Sequence, residues 1–74
     1  MNIKIRSRTA FPKILEETLY QAYREGKRSV DFLLLIPVLE EEQEQIIEQV
    51  KSHSVVLDAK WRFGTVLFTA YIKH

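Results

Sequence analysis

Val55-Val56-Leu57-Asp58-Ala59-Lys60-Trp61-Arg62-Phe63-Gly64-Thr65-Val66-Leu67-Phe68-Thr69-Ala70-Tyr71-Ile72-Lys73 is a pair of runs either side of a Phe-Gly. If Phe63 and Gly64 form a two-residue loop, Arg62 faces Thr65. The pairs are then Trp61–Val66, Ala59–Phe68, Leu57–Ala70 and Val55–Ile72. Every member is apolar, and all share one face because side chains along a strand alternate with period 2. A four-residue loop from Arg62 to Thr65 gives the same pairs. A one-residue slip sets Trp61 against Thr65 and scatters the apolar face. The reading therefore expects a hairpin with Trp61 on its dry side and Lys60 and Arg62 on the other.

Working towards the N-terminus, Leu39, Ile46, Ile47 and Val50 recur at helical spacing, with a start near Val38 or Leu39. Glu40, Glu41, Glu42 and Glu44 fill the first turns and Lys51 lies at the end, both favourable to the helix dipole. The stripe is thin, because Gln43 falls where a core residue is expected. Before it, Val30 to Ile36 is nearly continuous apolar sequence closed by Pro37. Such a run is a strand buried on both faces, or one with a face awaiting a partner. Further back, Phe11, Ile14, Leu15, Leu19, Ala22 and Tyr23 trace another helical stripe. Thr9 is its expected N-cap, Pro12 suits its first turn, and Gly26 is its stop. Residues 2–8 alternate, with Ile3 and Ile5 on one face and Lys4, Arg6 and Arg8 on the other.

The order is β–α–β–α–β–β in one domain spanning residues 1–74. Right-handed crossovers place both helices on one side of the sheet. The fold class is α/β: a two-layer sandwich whose mixed four-stranded sheet has three parallel strands and an antiparallel last one. Such a sandwich leaves one sheet face bare. The hairpin register puts Val56, Leu67 and Tyr71 there. Alternation in the second strand adds either Phe32, Leu34 and Ile36 or Leu33 and Leu35. A contiguous apolar patch on a small domain marks a partner. Val56, Leu67, Tyr71, Leu33 and Leu35 are the expected interface, covered by a second copy or by another protein; the alternative is a central second strand whose patch is covered by a loop or terminus of the chain itself.

The composition excludes several classes of function. The chain has 74 residues and no cysteine, hence no disulfide framework, thiolate metal site or thiol nucleophile. That, and an N-terminus without an apolar leader, points to the cytoplasm. The apolar run at Phe32 is too short to span a bilayer. The net charge of +1 conceals segregation. Residues 1–30 carry seven Lys/Arg and three Glu, residues 31–50 six acids and no base, and residues 51–74 four bases and one acid. A uniform polyanion binder does not carry such an acidic block.

No catalytic constellation emerges. His53 and Ser54 are neighbours in sequence, which does not make a nucleophile–base pair; His53 is expected to be capping or exposed, and terminal His74 mobile. Asp31, at the head of an apolar strand, is expected to be solvated. Glu40–Glu44 and Glu44–Glu48 have i,i+4 spacing, but without a loop that converges oxygens they read as a solvated face rather than a metal site. The only glycines, Gly26 and Gly64, do not build a phosphate loop. No enzyme, cofactor or metal is expected.

Nucleic acid is the competing partner. Lys4, Arg6 and Arg8 from the first strand, Arg24, Lys27 and Arg28 around the first helix end, and Lys60 and Arg62 from the hairpin are available beside Tyr71 and Trp61. The element order resembles the fold shared by the Alba chromatin proteins and the C-terminal domain of bacterial translation initiation factor 3. That resemblance covers the whole chain as an order of elements and carries no motif. It implies nucleic-acid binding through basic loops and, for Alba, dimerisation. This chain departs from both families in its near-neutral charge and acidic second helix. The leading expectation is a non-enzymatic protein–protein interaction or regulatory module, dimerising or docking through its open sheet face. The alternative is a small nucleic-acid-binding domain.

Overall fold

In the computed structural model, which describes residues 2–74, the order is β1 (Asn2–Ile5), α1 (Phe11–Arg24), β2 (Ser29–Leu34), α2 (Gln43–Lys51), β3 (Val56–Phe63) and β4 (Leu67–Ile72). A 3₁₀ turn, Glu40–Glu42, leads into α2. The sheet runs β1-β2-β4-β3. β1 and β2 are parallel, and β4 is antiparallel to both β2 and β3. The expected mixed sheet with an antiparallel last strand is therefore present, and β4 lies inside it. α1 packs over β2 and β4, and α2 over β3.

Helix α1 buries Phe11, Leu15, Leu19 and Ala22. Its N-cap is Ala10, not Thr9; the Ala10 amide donates to Ser7 Oγ at 3.4 Å, and the Ser7 and Thr9 hydroxyls bond each other at 2.9 Å. Occupied by Ser7, the Thr9 hydroxyl does not cap. The other end closes as expected. Gly26 has φ +73°, the Lys27 amide donates to Ala22 O, and the Gly26 amide donates to Tyr23 O. This double bond pattern needs a left-handed residue at Gly26, which glycine adopts without a Cβ clash.

β1 is shorter than the 2–8 span expected, and its last ladder bond runs from the Leu35 amide to Ile5 O at 2.8 Å. Arg8 turns away, donating to Pro37 O and to Glu42 Oε2. β2 resolves the ambiguity of the apolar run. Val30, Phe32 and Leu34 are buried under the helices, while Leu33 and Leu35 lie on the other side. The core closes on a stacked Phe32–Phe68 pair, with ring centroids 5.0 Å apart.

The hairpin departs from the expected register by two residues. Trp61 pairs with Phe68, Ala59 with Ala70 and Val56 with Ile72. The ladder skips one β3 residue between Val56 and Asp58 and another between Trp61 and Phe63, so Leu57 and Arg62 are bulged. The turn spans Gly64–Val66, with the Val66 amide bonded to Phe63 O. A two-residue shift conserves sides, so Trp61, Ala59, Phe68 and Ala70 face the helices as expected. The bulge at Leu57 exchanges two assignments. Val56 is 4% exposed, in the core, and Leu57 is 69% exposed. Val56 is therefore no part of the open face.

Terminal His74 has partners in the fold. Its ring stacks on Tyr23 with centroids 5.9 Å apart and contacts Lys27 O through Nε2. Gln43, anomalous in the helical stripe, has a structural task. Its side-chain amide donates to Gly64 O at 2.6 Å, and its own carbonyl accepts from Trp61 Nε1 at 3.1 Å. One polar residue thus ties α2 to the hairpin turn. Among the described residues no helix is long and apolar enough to cross a membrane.

Candidate docking face

The pairing sets the open face out in rows across the strands. One row is Lys4–Leu33–Leu67–Phe63, from β1 to β3. The next is Asn2–Asp31–Thr69–Lys60, and the third is Ser29–Tyr71–Asp58. Only the first row is apolar beyond its β1 member, through Leu33, Leu67 and Phe63. Leu33 and Leu67 are half-buried, Phe63 is 71% exposed, and Leu35, one step further along the Leu33 side, is exposed as well. The apolar area is thus a stripe at the end of the face nearest the hairpin turn.

The middle row is polar, and its two central residues satisfy each other. Thr69 is 5% exposed, yet its hydroxyl donates to Asp31 Oδ1 at 2.6 Å. Asp31 is half-buried rather than solvated. A charge-assisted bond of this kind holds β2 to β4 across the face. Beside it Arg62 Nη1 donates to the Tyr71 hydroxyl at 3.0 Å, and Lys60 Nζ lies 5.6 Å from the Tyr71 ring centroid. Ser29, Asp31, Thr69, Tyr71, Arg62 and Leu67 enclose a shallow depression of about 300 Å³.

Of the expected interface residues, Leu33, Leu35, Leu67 and Tyr71 are on this face or at its rim, and Val56 is not. Phe63 is absent from the expected interface because a two-residue loop takes it into the turn; an aromatic at a turn position, where Gly, Asn or Asp is favoured, is the available signal. The basic residues divide. Lys4, Lys60 and Arg62 flank the face, and Arg6 follows β1. Arg8 is committed to Glu42 at 2.9 Å, and Lys27 to Glu25 at 3.3 Å. Lys27 and Arg28 precede β2, at the opposite end of the sheet from Arg6.

Two carboxyls titrate below their ordinary range. Glu42 is held down first by the Leu39 amide that donates to it and then by Arg8. Glu25 is held down first by its hydrogen bond from Gln21, then by Lys27. Both sit at helix ends and serve as local fastenings away from the open face. His53 packs edge-on against Tyr20 at 6.4 Å, and the Tyr20 hydroxyl bonds Ser54 Oγ at 3.2 Å. No group of three or more His, Asp or Glu converges among the described residues. No family profile, curated protein or solved structure matches the chain.

Proposed function

We propose that the chain is a non-enzymatic docking module of the cytoplasm that engages a partner protein through the apolar end of its open sheet face. The observation that carries this reading is the uncovered row Leu33–Leu67–Phe63, continued by Leu35. It is a small apolar centre inside a polar border, the usual anatomy of a protein interface. The border is cationic near the stripe, with Lys4 in the same row and Arg62 beside it. Charge complementarity therefore favours a partner with apolar anchors ringed by carboxylates. A second copy would bring the same cations together around one patch.

A second reading rests on Tyr71, whose ring lies near Lys60 and whose hydroxyl meets Arg62. Basic groups beside an aromatic on a sheet suit a single-stranded nucleic acid. Asp31 and Asp58 occupy the same face, and the remaining cations are spread from one end of the sheet to the other, which weighs against it.

A competitive selection tests the first reading. Short random displayed peptides are selected for retention by the wild-type chain and not by Leu67→Glu. The expected winners combine Leu, Phe or Trp with Asp or Glu, and bind the variant at least about tenfold more weakly. No discriminating peptide overturns the reading. Sedimentation of wild type as a dimer and of Leu67→Glu as a monomer replaces the acidic partner with a second copy. Salt-sensitive binding of oligothymidine that Lys60→Glu abolishes transfers the face to nucleic acid.

A further inference from the structure

The two edges of the sheet are built differently. β3 carries two bulges, each placing an extra residue in the edge, and exposes Lys60 and Arg62. Bulges and charges bend an edge away and deter pairing with another strand. β1, the opposite edge, pairs with β2 residue for residue without a bulge. Its Ile5 carbonyl accepts from the Leu35 amide, so Ile5 and, two residues back, Ile3 turn their peptide groups inward. Successive residues in a strand turn them to opposite edges, so Asn2 and Lys4 present N–H and C=O outward.

The space beside this edge is shaped as well. α1 lies over β2 and β4, leaving a groove of about 220 Å³ bounded by the C-terminal half of α1, by Ile3 of β1 and by the start of β2, with Glu25, Lys27 and Ser29 at its far end. Ile3, Ala22 and Val30 supply its apolar surface, and Thr18 and Gln21 stand along its helix wall. Ile3 is only half-buried. On the other side of the same edge Lys4 is exposed, Arg6 is exposed just past the strand's end, and neither has an ion-pair partner among the described residues.

We propose that β1 is a strand-addition site for an extended, acidic segment of a partner protein. Alternation in the added strand decides its chemistry. One set of side chains enters the groove beside Ile3 and is apolar. The other set lies on the open-face side, next to Lys4 and Arg6, and carries carboxylates; opposite charges across neighbouring strands attract. A second copy of β1 is the poorer occupant, because it crowds two Lys4 and two Arg6 side chains onto one short ribbon. This site goes beyond the open-face reading and does not rest on it.

The test uses the full chain made by chemical synthesis, with and without an N-methyl group on the Lys4 amide. The probes are three fluorescent peptides in which Val alternates with Asp, Gln or Lys. The Val/Asp peptide is expected to bind best and the Val/Lys peptide not at all. N-methylation of Lys4 removes one outward donor, leaves the inward pairing with β2 intact, and should weaken binding at least about tenfold. Thr18→Phe, which fills the groove from the helix side, should do the same in a chain of unaltered backbone. Leu67→Gln, which adds no charge to the Lys4 row, should leave binding unchanged, which separates this site from the open face. Failure of all three peptides to bind wild type overturns the proposal. So does equal binding of all three, or binding that survives both modifications of the β1 edge and is lost in Leu67→Gln.

Discussion

The two faces of strand β4 differ by one step along the chain. Phe68, Ala70 and Ile72 face the helices and are buried. Leu67, Thr69 and Tyr71 face outward and run from apolar through hydrogen-bonded to aromatic. The inner face is a packing surface whose every neighbour is apolar. The outer face is a mixture in which each residue has its own partner across the sheet. Period-2 alternation produces both, but only the inner face is constrained throughout by dehydration. The outer one is free to be specific, and that is where a docking function has room.

The contrast should appear first as stability. Phe68 is fully buried, stacked on Phe32 and met edge-on by Phe11 and Trp61. Phe68→Ala should cost about 3–5 kcal/mol in denaturant unfolding, through lost transfer energy and a residual cavity. For a domain this small that is a large share of the total. A cost near that of a surface substitution would show that the inner face is not the core. The middle of the outer face should come next. Thr69→Val conserves shape but removes the donor to Asp31; half-exposed Asp31 can turn to water, so a loss of about 1–2 kcal/mol is expected. An unchanged midpoint would mean the cross-strand bond contributes nothing.

This difference between faces also explains what was legible beforehand. The inner face depends on parity, and parity survives a two-residue change of register. Trp61, Ala59, Phe68 and Ala70 were therefore placed on the correct side although their partners were not. The bulge at Leu57 was hidden, because Val56 and Leu57 are both apolar and neither protests at either position. Pairing of Val56 with Ile72 decides it, and that depends on the whole sheet. The Asp31–Thr69 bond was hidden for a related reason: it needs β2 and β4 to be neighbours, and element order alone does not state strand order. Gln43 was visible as an anomaly in the α2 stripe. Its role required knowing that the hairpin turn reaches that helix. Leu67 and Tyr71 are legible from the hairpin's alternation, whereas Leu33 and Leu35 are legible only as one of two sets, and the burial of Val30, Phe32 and Leu34 decides between them.

The smallest stability effect belongs at the apolar end of the outer face, and it separates a docking surface from an unrecognised core. Leu67 is half-buried between Leu33 and Phe63 in the same row. Leu67→Glu therefore gives up only part of a side chain's burial. Its carboxylate can reach water, and Lys4 in the row and Arg62 nearby offset some of the loss. The expected cost to folding is about 1 kcal/mol or less, within the range of surface substitutions. In a complex the same carboxylate would be taken out of water against an apolar anchor and an acidic rim, so association should suffer far more than folding. Thermal melts and peptide titrations on the one variant measure both quantities. A variant that unfolds as readily as Phe68→Ala would erase the distinction between the faces. A variant that stays folded and keeps its affinity for the selected peptides would preserve the distinction and remove the docking role of this end.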